Sequence, residues 1–137
     1  MKRIMAVMAV CIITNNAIAG DKMKIQINDT VYVVQTDDNK TVADIVANLP
    51  MDLNMQRYAG HEYFAEMDFI PHGGGKKTSH LMPGHVYWWG DGNTFVINYI
   101  EYDIAPYKSV HIGEITDPEI IDVLANAPRT IAVKLMK

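Results

Sequence analysis

Hydrophobic and polar positions along this chain alternate mostly with period two, the spacing of half-buried strands. The pattern is densest from Met82 to Tyr99. It predicts strands over His85–Trp89 and Thr94–Tyr99, joined by Gly90-Asp91-Gly92-Asn93, with the glycines supplying the left-handed backbone of the turn. Alternation places Phe95, Ile97 and Tyr99 on one face of the second strand and Val96 and Asn98 on the other. Both tryptophans of the chain, Trp88 and Trp89, lie in this hairpin. It must therefore pack on something large or line a hollow.

Around this hairpin the same reading continues. Lys24–Ile27 and Val31–Val34 flank the turn signal Asn28-Asp29-Thr30 and predict an opening hairpin. Thr41 is the expected N-cap of a short helix in which Val42, Ile45, Val46 and Leu49 share one face and Pro50 ends the run. Met51–Met55 alternates again, Tyr58-Ala59-Gly60 turns the chain, and His61–Met67 reads as a strand of mixed polar and aromatic residues. Ile70–Lys77, with three consecutive glycines, predicts a flexible loop. Beyond Tyr99 come a tyrosine-rich connection, a strand over Val110–Ile115 and a helix. A capping box from Thr116 to Glu119 is the expected start of that helix, and Thr130–Leu135 is a final strand. About eight strands, two short helices and no repeated βαβ unit predict a mainly β fold, a closed antiparallel barrel capped by helices.

The first residues carry a different signal. Lys2 and Arg3 precede the apolar run Ile4–Ile13, and Ala17-Ile18-Ala19 has the small residues at −3 and −1 that a signal peptidase requires. A bilayer span takes about 20 apolar residues, so this run predicts a signal peptide over 1–19 and a domain over 20–137. The expected location is periplasmic or secreted, with no membrane attachment after cleavage. Cys11, the one cysteine, would leave with the peptide, which removes disulfides, thiol catalysis and thiolate metal sites from consideration. Without Lys2 and Arg3 ten basic residues face sixteen acidic ones, and no basic run exceeds Lys76-Lys77. Nucleic acid is accordingly not an expected partner.

Three stretches carry a resemblance. Leu49-Pro50-Met51-Asp52-Leu53 leads into Tyr58-Ala59-Gly60-His61-Glu62-Tyr63-Phe64-Ala65-Glu66; Pro83-Gly84-His85-Val86-Tyr87-Trp88 continues through Gly92-Asn93 to Tyr99; and Ile112-Gly113-Glu114-Ile115 precedes a helix with Ile121 and Leu124. In this order and spacing they resemble the bacterial cyclophilin-like domain proteins, over essentially Met23 to Lys137. The resemblance implies a cyclophilin-type barrel and, as one activity, peptidyl-prolyl isomerisation. That reaction needs an arginine aimed at the proline amide beside an apolar pocket. The Phe-His-Arg-x-Ile and Phe-Met-x-Gln stretches of cyclophilins are absent here, and the neighbours of Arg57, Gln56 and Tyr58, do not match. Trp88-Trp89-Gly90 stands where cyclophilins have Met-Ala-Asn, and Val96 replaces a pocket phenylalanine.

The expected function is therefore a binding module with an aromatic-lined groove for a peptide or small ligand, and the isomerase is the alternative. Arg57, His61, Tyr63, Glu66, His85, Trp88 and Tyr99 are the candidate ligand-binding residues; no catalytic residue is assigned. His61, Glu62 and Glu66 have the chemistry for proton transfer, with the two glutamates sharing one strand face. Five histidines without a His-x-His or His-Glu-x-x-His pair give no expectation of a metal, and no cofactor is expected. Self-association through exposed aromatics is a third reading.

Overall fold

A computed structural model describes residues 22–137; the expected signal peptide over 1–19 lies outside the described residues. Among the described residues eleven strands and two helices follow one another. They are β1 (Met23–Ile27), β2 (Thr30–Thr36), α1 (Lys40–Ala47), β3 (Met51–Tyr58), β4 (Glu62–Glu66), β5 (Lys77–Thr78), β6 (His80–Leu81), β7 (His85–Trp89), β8 (Thr94–Asn98), β9 (Tyr102–Asp103), β10 (Ser109–Ile115), α2 (Glu119–Asn126) and β11 (Thr130–Met136).

Eight of the strands form a closed antiparallel barrel in the order β2-β1-β11-β3-β4-β8-β7-β10, with β10 pairing back onto β2. Closure depends on Gly113. A Cβ there would lie 2.5 Å from the Gln35 carbonyl oxygen and 2.9 Å from Thr36 Cα, closer than any side chain permits. Beside it β10 bulges between His111 and Gly113 against β7. Because β2 and β10 are antiparallel neighbours, the helices that follow them leave from opposite ends of the barrel.

Alternation decides the interior. Ile25, Met55, Tyr63, Phe95, Ile97, Ile112 and Leu135 point into one core, joined by Val42 and Ile45 of α1 and Ile120 and Leu124 of α2. Outside the barrel wall a second, smaller cluster gathers Leu81, Tyr87 and Val96. It exists because β6 and β9 pair as a separate two-stranded ribbon, with His80 opposite Asp103 and Leu81 opposite Tyr102.

Several local expectations are corrected. The cap of α1 is Asn39, whose side chain accepts from Val42 N at 2.8 Å; Thr41 is buried and donates to the Gly74 carbonyl at 2.7 Å. For α2 the capping oxygen comes from Asp117, which accepts from Glu119 N at 3.0 Å, and no Thr116–Glu119 box forms. In the β7–β8 turn the left-handed residue is Asn93, at φ 50°, and neither Gly90 nor Gly92 adopts positive φ. Asn93 also accepts from Trp88 Nε1 at 3.0 Å and donates to the Met67 and Phe69 carbonyls, so it ties the turn to the chain leaving β4. The glycine loop is held down as well. Besides the Thr41 bond, His72 N and Nδ1 both reach Asp44 Oδ2, at 2.7 and 2.9 Å, and His111 N donates to the Lys76 carbonyl at 2.9 Å.

Candidate functional site

The strands β3, β4, β7 and β8 present opposite chemistry on their two faces. Arg57, Tyr63 and Tyr99 point inward. Arg57 Nη2 lies 2.7 Å from the Tyr63 hydroxyl and 3.1 Å from the Leu124 carbonyl, and it also bonds the Ala127 carbonyl. Its guanidinium sits over both rings, 5.2 Å from the Tyr63 centroid and 5.6 Å from that of Tyr99. The Tyr63 hydroxyl donates to the Pro128 carbonyl at 2.6 Å. These contacts satisfy carbonyls that the C-terminal end of a helix leaves without partners, so the cluster fastens α2 to the barrel. The Tyr99 hydroxyl and Arg57 Nε are buried without a partner, and burial pushes the Tyr99 phenol upward.

The outward face is hollow. A cavity of about 600 Å³ lies between β4 and β8 on one side and the β6–β9 ribbon with residues 103–107 on the other. Its floor is built from outward residues of adjacent strands. Phe64 pairs with Val96 in the β4–β8 register, with Glu62 and Thr94 of the same two strands on either side. Its walls are aromatic: Tyr58 meets Phe64 edge-on at 5.9 Å, and Trp89 meets Tyr107 edge-on at 5.8 Å. Tyr102 stacks flat on His61, with centroids 3.8 Å apart.

His61 and Glu62 supply the polar end. The Asn98 amide donates to the Met82 and Ile100 carbonyls, so its oxygen faces His61 Nδ1, at 3.1 Å, and that nitrogen carries the ring proton. Glu62 Oε1 is 3.4 Å from the same nitrogen. With no closer partner and only 14% of its side chain exposed, Glu62 is desolvated, and its carboxyl is pushed up to about 7. A carboxyl that titrates near neutrality inside an aromatic cavity can exchange a proton or hold a cation.

A second polar cluster runs along the outside of β7 and β10. Asp37 Oδ2 lies 2.7 Å from His111 Nδ1, and His111 Nε2 lies 2.8 Å from His85 Nδ1. Asp37 accepts from His111 Nδ1, and one proton joins His111 Nε2 to His85 Nδ1. Burial chiefly holds His85 below the ordinary imidazole value, against the opposing pull of Glu114, whose carboxylate is 3.7 Å away. Among the described residues no three His, Cys, Asp or Glu side chains converge to hold a metal ion.

The seven candidate residues are thus distributed over five environments. His61 lines the cavity. Arg57, Tyr63 and Tyr99 belong to the interior cluster. His85 belongs to the histidine pair, and Glu66 is exposed at the end of β4, away from the cavity lining. Trp88 packs on the core and borders a separate hollow of about 400 Å³ with Gly73, Gly74 and Lys77. The aromatic and glutamate lining residues absent from the candidate set are Glu62, Tyr58, Phe64, Trp89, Tyr102 and Tyr107. Strand parity could have found two of them, since an inward Tyr63 makes Glu62 and Phe64 face outward together.

A profile described as the cyclophilin-like family matches residues 25–136. The chain belongs to the cyclophilin-like family. Among solved structures this family member is similar to McbB in complex with tryptophan, with TM-score 0.59 and 14% identity over 84% of this chain and 44% of that one. The chain thus spans less than half of the McbB chain. It is also similar to the solution structure of a hypothetical protein from Archaeoglobus fulgidus, with TM-score 0.59 and 16% identity over 83% of this chain and 92% of that one. At these identities the likeness is one of fold. No curated protein matches the chain.

Proposed function

We propose that this cyclophilin-like protein is an exported binding module whose outer-face cavity takes a small ligand or a peptide segment without a reaction of its own. The observation that carries this reading is the cavity of about 600 Å³ with aromatic walls and one desolvated carboxyl, a size and composition typical of ligand sites. Export rests on the pattern of residues 1–19; a mature N-terminus at or near Gly20, read by mass spectrometry from the native host, would support it.

The isomerase alternative is the weaker reading. Arg57 is committed to Tyr63 and the carbonyls at the end of α2, and the cavity lining contains the carboxyls of Glu62 and Asp103 but no arginine among the described residues. The similar McbB structure holds tryptophan, which makes tryptophan a reasonable first probe of this cavity. Binding read by calorimetry should weaken at least tenfold in Phe64→Ala and in Trp89→Ala, with no turnover in a protease-coupled proline-isomerase assay. Turnover that Arg57→Ala abolishes would reject the binding reading in favour of the isomerase.

A further inference from the structure

The cavity has a chemical polarity that narrows what it can hold. Five aromatic rings, those of Tyr58, Phe64, Trp89, Tyr102 and Tyr107, line it beside Leu81 and Val96. Its polar side chains besides the tyrosine hydroxyls are those of His61, Glu62, Thr94, Asp103 and Ser109. Aromatic faces carry negative electrostatic potential and attract a cation, an interaction that strengthens when water is excluded. Once ionised, Glu62 adds formal negative charge at one end, and among the described residues no lysine or arginine lines the cavity to neutralise it. The second acid, Asp103, lies on the ribbon side; its Oδ1 accepts from Ala105 N at 2.9 Å.

Resting on the reading of this cavity as a ligand site, we infer that its ligand is an organic cation: an ammonium head set against Glu62, with an apolar or aromatic body among Phe64, Trp89 and Tyr107. An anionic body would meet Glu62 and Asp103, and a neutral one would leave the carboxyl buried without a partner. A cation is the one charge type that the ionised Glu62 and the rings both attract.

This arrangement couples binding to a proton. Glu62 must give up its proton to face the cation, and burial keeps that proton on until about pH 7. The other titratable groups around it are His61 from the turn before β4, Tyr58 from β3, and Tyr102, Asp103 and Tyr107 from the ribbon and the segment after it; β8 contributes none. Only the ionised fraction of Glu62 is competent, so affinity for a permanently charged amine should rise about tenfold from pH 6 to pH 8.

Three probes with one body separate the possibilities: 2-phenylethylamine, 2-phenylethanol and phenylacetate, charged positive, neutral and negative at these pH values. Calorimetry on the folded protein should rank the amine at least tenfold above the alcohol at pH 8, with phenylacetate weakest. In Glu62→Gln the amine should lose that advantage and its pH dependence, while the alcohol binds as before. Equal binding of amine and alcohol would overturn the cation inference and leave the cavity reading intact. An amine preference that survives Glu62→Gln would also overturn it, since Glu62 would not be the group that holds the charge. Absence of binding by all three would overturn the cavity reading with it.

Discussion

The inner and outer faces of β3, β4 and β8 are made by alternate residues of the same strands, yet they treat polar groups in opposite ways. Inside, Arg57 and Tyr63 spend their hydrogen bonds on the protein's own carbonyls at Leu124, Ala127 and Pro128. Outside, Glu62 has only an imidazole nitrogen at 3.4 Å and shares a cavity with five aromatic side chains. Charge alone does not mark a binding residue. The half-buried guanidinium is a fastener, and the residue with unused bonding capacity in a hollow is the carboxyl two strand positions from a phenylalanine.

Phenylalanine placed on each face offers the largest test of this contrast. Phe95 is fully buried in the barrel core, whereas Phe64 is half-buried at the cavity floor. Phe95→Ala should cost about 3–5 kcal/mol in denaturant unfolding, and Phe64→Ala about 1 kcal/mol, because the outer site already has space beside it. Equal losses would mean that the outer cavity is closed in solution.

Next in size is Arg57. Arg57→Met removes the charged bonds to the Tyr63 hydroxyl and to the Leu124 and Ala127 carbonyls, with an expected loss of about 3 kcal/mol. Ligand binding to the folded variant should be unchanged. A variant that keeps its stability but loses binding would move Arg57 from fastener to ligand contact.

The carboxyl itself predicts a pH-dependent stability with a definite sign. Below its ordinary value of 4.5 Glu62 is protonated in both folded and unfolded chains; between there and about 7 only the folded chain keeps the proton. Its stabilising contribution is therefore complete at low pH and is lost as pH rises through about 7. Discounted for partial exposure, Glu62→Gln should be about 2 kcal/mol more stable than wild type at pH 8, and the difference should vanish by pH 4.5. A constant difference across that range would mean that Glu62 is solvated.

The smallest contrast is between two tyrosines of the interior. Tyr63→Phe removes a hydroxyl that joins Arg57 to Pro128 and should cost about 1–2 kcal/mol. Tyr99→Phe removes a buried hydroxyl without a partner and should be neutral or slightly stabilising. Chemical unfolding of the two variants side by side resolves this.

Much of the barrel was legible because period two is a local property. Phe95, Ile97 and Tyr99 face inward together, as their spacing requires, and the β7–β8 hairpin falls where its turn residues place it. Helix starts were less legible: Asn39 and Asp117 stand within a few residues of equally good caps, and only the path of the entering chain selects between them. The cavity was the least legible part. Tyr102 comes over His61 because β9 pairs with β6, a two-residue contact that leaves no periodic trace. Alternation also says that Tyr63 and Glu62 face opposite ways without saying which way is in. That is why Arg57, Tyr63 and Tyr99, grouped in sequence reasoning with a groove, line the interior.

The two indoles of the chain allow the central claim, that ligand enters the outer cavity and leaves the interior untouched, to be read in one titration. Trp89 lines the cavity, whereas Trp88 packs on the barrel core with its Nε1–H bonded to Asn93 Oδ1 at 3.0 Å. Adding 2-phenylethylamine at pH 8 to ¹⁵N-labelled protein should shift the Trp89 indole resonance together with the amides of Glu62, Phe64 and Tyr102. The Trp88 indole and the amides of Arg57 and Tyr63 should stay in place. Movement of the Trp88 indole and the Arg57 amide with a stationary Trp89 would contradict the account.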